Sequence, residues 1–127
     1  MKKPRKYVVG FYKLGFRNVK LSIDTGTANG EVDLIPEDNG ITTITVGIDS
    51  SWSESFSVLL HEVYEGVLVD LQTRYKQKPS YSQESSDFMF IATHNQLSEA
   101  AERAGVFLSE ALPAFMKAYK KYSPYEE

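Results

Sequence analysis

At 127 residues the chain is long enough for one hydrophobic core and too short for two. Apolar residues at 42% and aromatics at 13% exclude wholesale disorder. The net charge of −3, with basic residues divided between the two ends, excludes the basic stripe of a nucleic-acid binder, and the absence of cysteine excludes disulfides and thiolate metal sites.

Lys2-Lys3-Pro4-Arg5-Lys6 reads as a solvated basic run. "YVVGFYKLGF" (7–16) follows as a strand rather than a signal peptide, because Lys13 and two glycines interrupt it and no small-residue cleavage site follows. Asn18 to Ile23 is a second strand, "DTGTANG" (24–30) a turn, "EVDLI" (31–35) a short strand and "PEDNG" (36–40) a second turn. The D-T-G triplet is shared with aspartic proteases, but a single copy in so short a chain is a plain turn. "ITTITVGID" (41–49) alternates most clearly, with Ile41, Thr43 and Thr45 on one face and Thr42, Ile44, Val46 and Ile48 on the other. Residues 1–50 thus predict a three- to four-stranded, mostly antiparallel sheet with mostly hairpin connections.

The period then changes. Ser51 and Glu54 have capping-box spacing, and Phe56, Leu59, Leu60, Val63, Val67 and Leu71 make one apolar face of a helix over 53–75. "KQKPSYSQESS" (76–86) is a polar connection bracketed by Tyr75 and Tyr81, and Ser85, Ser86 or Asp87 caps a second helix over about 87–111. Pro113 allows a fresh start for a short C-terminal helix, so that 87–122 forms a helical partner to the first helix. The expected architecture is a single α+β domain over 1–127, its sheet packed by two long helices and a short third one. No apolar stretch approaches the roughly 20 residues needed to span a bilayer, and no membrane partner or nucleic acid is expected; the expected location is the cytoplasm.

The chemistry-bearing stretch is "LLHEVYEGVLVDL" (59–71). His61 and Glu65 stand at i, i+4 on one side of the helix, away from its apolar face, with Glu62 turned to the side of that pair. On the second helix His94 falls on the apolar side, beside Phe90, Leu97 and Ala104, with Asp87 and Ser98 flanking it. These placements predict that both histidines meet in a crevice between the helices. Two imidazoles and a carboxylate bind Zn²⁺ with one open position, or present the facial triad of non-haem Fe(II). Asp87, Ser98 and Tyr75 are the candidates to support that site, and Arg74 is either an oxyanion partner or a helix C-terminal cation. The alternative for the same residues is a solvated acidic helix face and a core histidine bonded to a backbone carbonyl.

A strand ("ITTITVGI"), a short Ser-rich link and a helix bearing "LLHEVYE" resemble the core of a minimal zincin metallopeptidase. The chain also resembles a group of small bacteriophage and prophage proteins through "LLHEVYEGVL", "RY" and "DFMFIATHNQLSEAAERAGVFLSEALP". The zincin resemblance implies a strand at the sheet edge beside a cleft, His61 as first zinc ligand, Glu62 as the base, Glu65 in place of the second histidine and His94 as third ligand. It implies a metal-dependent hydrolase acting on a peptide or protein. The alternative it leaves is a non-catalytic phage accessory or virion protein, or a binder of a host factor, on a degenerate scaffold of the same kind.

Overall fold

The computed structural model describes residues 5–36, 39–76 and 88–125. Its elements are β1 (Lys6–Leu14), β2 (Arg17–Asp24), β3 (Gly30–Asp33), β4 (Ile41–Gly47), α1 (Trp52–Asp70), β5 (Arg74–Lys76), β6 (Phe88–Phe90) and α2 (His94–Tyr122). The first four strands form one sheet in the order β1-β2-β4-β3, and β5 pairs with β6 in a separate two-stranded ribbon. The α+β expectation is met, with four strands and both long helices.

The mostly antiparallel expectation holds for β1–β2 and β3–β4, whereas β2 and β4 run parallel and make the sheet mixed. The cause lies in the connection after β2. Residues 25–29 step over the position beside β2 and start β3 one strand further out, leaving a slot that β4 fills. The crossing is tight: Gly47 N–H donates to the Asn29 carbonyl at 2.7 Å and Asp49 N–H to the Thr27 carbonyl at 3.0 Å. A Cβ on Gly47 would stand 2.4 Å from both of those carbonyl oxygens, so only glycine lets the connection pass. β3 is left at the sheet edge, paired among the described residues with β4 alone.

Strand alternation sends Val19, Leu21 and Ile23 of β2 and Ile44 and Val46 of β4 into the core, all fully buried. Both helices cover that face. From α1 come Leu59, Val63 and Val67, and from α2 Ala100, Ala104, Phe107, Ala111 and Phe115. The opposite face, with Lys6, Val8, Lys20, Glu31, Asp33 and Thr43, is a shallow depression without a covering layer among the described residues.

The helices depart from expectation in three ways. Only two are present among the described residues, because α2 continues through Pro113 instead of restarting there. Ala111 and Phe115 are buried on either side of the proline, and this burial holds both halves of the helix to the sheet despite the lost backbone hydrogen bond. The second helix also begins at His94 rather than 87. Thr93 is its N-cap in a reciprocal box with Gln96, whereas Phe88–Phe90 are strand. Ser85, Ser86, Asp87 and Tyr81 lie outside the described residues. Finally, the buried stripe of α2 runs through Phe107 and Ala111, not through Leu97 and Leu108, a rotation of about 60° at 3.6 residues per turn.

Helix α1 is capped as expected: the Ser51 hydroxyl accepts from the Glu54 backbone N–H at 3.2 Å and donates to the Glu54 carboxylate at 3.1 Å. Its far end is tied to the sheet by Arg17. That guanidinium donates twice to Asp70, at 2.6 and 2.7 Å, and also to the Leu34 carbonyl and the Thr42 hydroxyl. One side chain thereby links the end of α1 to β4 and to the residue just beyond β3. No described helix is long and apolar enough to cross a membrane.

Candidate metal centre

His61, Glu62 and Glu65 are brought together by one turn of α1. One donor atom from each lies within 4.8 Å of the other two, the one such group of three among the described residues. The three differ sharply in surroundings: the His61 side chain is 71% exposed, that of Glu65 25%, and Glu62 as a residue only 6%. His61 Nε2 stands 3.3 Å from Glu65 Oε2, and Arg74 Nη1 stands 3.9 Å from the other Glu65 oxygen.

Glu62 is buried because β3 offers it no side chain to avoid. A Cβ built on Gly30 would stand 3.1 Å from Glu62 Cγ, 3.2 Å from Glu62 Oε1 and 2.4 Å from Val58 Cγ1. The helix therefore lies directly on the glycine, and the carboxylate rests against the edge strand. Burial is the main force that pushes the Glu62 carboxyl above its ordinary pKa; His61 opposes the shift, and Glu65 and Glu31 add to it. A carboxyl held this way takes a proton more readily than a solvated one.

The donors face a cleft of about 660 Å³ between α1, β3 and the β5–β6 ribbon, with Val32, Leu68 and Phe90 among its walls. A second hollow, past Ala28, Asn29 and Ser57, shares Gly30, His61 and Glu62 with the first. No α2 residue lines either hollow.

The expected convergence of two histidines does not occur in that cluster. His94 is exposed on the first turn of α2, and the candidate donor group lacks it. Two shifts explain this: the later helix start, and the rotation of the buried stripe, which leaves His94 about 90° from its centre at 3.6 residues per turn. Ser98 is exposed on the same helix, Tyr75 is 52% exposed on β5, and Asp87 lies outside the described residues. Glu31, Gly30 and the Arg17–Asp70 tie were missed, since each acts through a partner distant in sequence. The only signal for them was the glycine opening a strand.

The donor set suits a cation of borderline hardness. Ligand atoms about 2.1 Å from a tetrahedral Zn²⁺ stand about 3.4 Å apart, and the His61–Glu65 pair is already at 3.3 Å. One imidazole and two carboxylates also suit Fe(II) or Mn²⁺. No family model, curated protein or solved structure matches this chain.

Proposed function

We propose that the chain is a small zincin-like metal-dependent hydrolase, with peptides or proteins as substrate, working in the cytoplasm of a bacterial host from a phage or prophage gene. The observation that carries this reading is the three-donor cluster with its one buried carboxylate, set in a cleft against an edge strand. His61 and Glu65 would hold the ion, zinc in the first instance and Fe(II) as the alternative, with Glu62 of the cluster beside it as the base rather than a third ligand. A bound divalent cation supplies Lewis-acid polarisation of the substrate carbonyl.

The remaining work falls to side chains and backbone. Glu62 accepts a proton from the attacking water, for which its raised pKa is suited, and returns that proton to the leaving amine. The free edge of β3 offers backbone groups to an extended peptide, which would lie as an added strand beside the cleft. Arg74, close to Glu65, adds positive charge where the carbonyl oxygen becomes negative.

The test is direct. Metal titration is expected to reach one ion per chain, to raise the unfolding midpoint, and to lose both effects in His61→Ala. At a metal concentration of 100 times Kd the added stability is about 2.7 kcal/mol. Glu62→Gln is expected to keep the metal and abolish peptide hydrolysis. A chain with no stoichiometric metal overturns the reading. The rival is a non-catalytic phage accessory protein or host-factor binder, and the exposed Tyr75, Met89 and Ile91 on and beside the β5–β6 ribbon favour it. In that case Glu62→Gln leaves biological activity intact, while changes at those apolar residues remove it.

A further inference from the structure

The sheet face turned away from the helices holds a hollow of about 550 Å³, within the roughly 300–1,000 Å³ of small-molecule sites. Its two walls carry opposite charge. Lys6 of β1 and Lys20 of β2 stand on one side, Glu31 and Asp33 of β3 on the other. Lys6 Nζ comes within 3.8 Å of Glu31 Oε1 although β2 and β4 lie between their strands, so the charged tips meet above the central floor. Two cations facing two carboxylates leave no net charge, and such a field orients a dipole rather than collecting ions of one sign. The floor itself is hydroxylic. Ser22 and Thr45 stand side by side in the parallel β2–β4 register and are only 5% and 6% exposed. Neither hydroxyl has a hydrogen-bond partner among the described residues, and neither is sealed off, so both remain open to the hollow. Buried hydroxyls are seldom left unpaired, and each of these offers both a donor and an acceptor.

The geometry points to a binding site for a zwitterion of the free α-amino acid kind. Lys6 and Lys20, with the Ser22 and Thr45 hydroxyls, take its carboxylate; Glu31 and Asp33 take its ammonium. The Lys6–Glu31 contact joins side chains 61% and 70% exposed and is therefore weak. An α-amino acid, with both charges on one carbon, offers each of those partners a replacement ion. A neutral sugar would use the hydroxyl floor but gain nothing from the separation of charge. The site goes beyond the hydrolase reading and does not rest on it: no helix residue lines the hollow, although Glu31 also borders the metal cleft.

The experiment titrates metal-free, isotope-labelled full chain with alanine, N-acetylalanine, alaninamide or glucose, followed by amide shifts. EDTA is kept present, because free amino acids chelate divalent cations. The expected result is saturable binding of alanine, at least about tenfold tighter than either blocked form or glucose, with the largest shifts at Ser22 and Thr45. Glu31→Gln should shrink the preference over N-acetylalanine, and Lys6→Gln the preference over alaninamide; both changes fall on exposed side chains and leave the core intact. Absence of saturable binding, equal affinity for the blocked forms, glucose bound as tightly, or preferences unchanged in both variants each overturn the inference. With no metal present, these outcomes bear on this site alone and leave the hydrolase reading to its own metal titration.

Discussion

Glu62 is where sequence chemistry and tertiary structure meet most closely. Its raised pKa means the folded chain binds its proton more tightly than the unfolded chain does. The unfolded group titrates near 4.5, so stability falls as pH rises from that value through the folded pKa, and the deficit is complete above it. Glu62→Gln in metal-free protein is therefore expected to unfold later than wild type at pH 7. The advantage should shrink as pH is lowered through that window; denaturant melts across pH 4 to 8 would measure it, and a gap that widens toward acid would contradict the burial account. Gly30→Ala probes the same contact from the strand. Its Cβ would collide with Val58 and press on Glu62, at a cost of about 1–3 kcal/mol. Adding Val58→Ala should recover much of that stability yet leave the carboxylate displaced, so metal affinity should stay low in the double variant. A helical wheel placed His61 and Glu65 on a shared side and Glu62 beside them, and those placements match the cluster. It had no means of showing that Glu62 would be buried, because that depends on a glycine thirty-two positions earlier.

Among elements, α1 is the most dependable in sequence and the most constrained in space. Its cap and its Leu59, Val63 and Val67 stripe follow from spacing alone, and the helix forms nearly where expected, ending at Asp70 rather than 75. Its angle to β3 is another matter. Arg17 and Asp70, with side chains 13% and 5% exposed, are matched across the sheet and helix. Asp70→Ala leaves the guanidinium half-satisfied, and the expected loss is about 3–5 kcal/mol in urea unfolding. The cleft should also widen at its Leu34 end. Helix α2 was harder to read because two strong local signals competed with weaker distant ones. The serine cluster before 87 and the proline at 113 suggested boundaries, whereas the Thr93–Gln96 box and the burial of Phe107 and Phe115 decided them. His94 lost its inward position for that reason.

For the whole molecule, alternation predicted the strands well, and hairpin connections gave β1–β2 and β3–β4 but not the parallel β2–β4 pairing. Every residue of β4 went to its expected face, yet besides its hairpin partner β3 it pairs with β2 in parallel, which no hairpin rule anticipates. The edge position of β3 follows from that one rearrangement, and with it the cleft. The crossing at Gly47 also has a consequence for assembly during synthesis. When the first thirty-six residues have emerged, β1 and β2 can zip into a hairpin, but β3 has no ladder to join. Its only ladder among the described residues is with residues 41–47, which come later in the chain. The cleft wall therefore cannot take its final form before residues 41–47 are available, and a nascent chain halted before Gly47 would carry an unpaired strand where the finished molecule carries its most chemically distinctive feature.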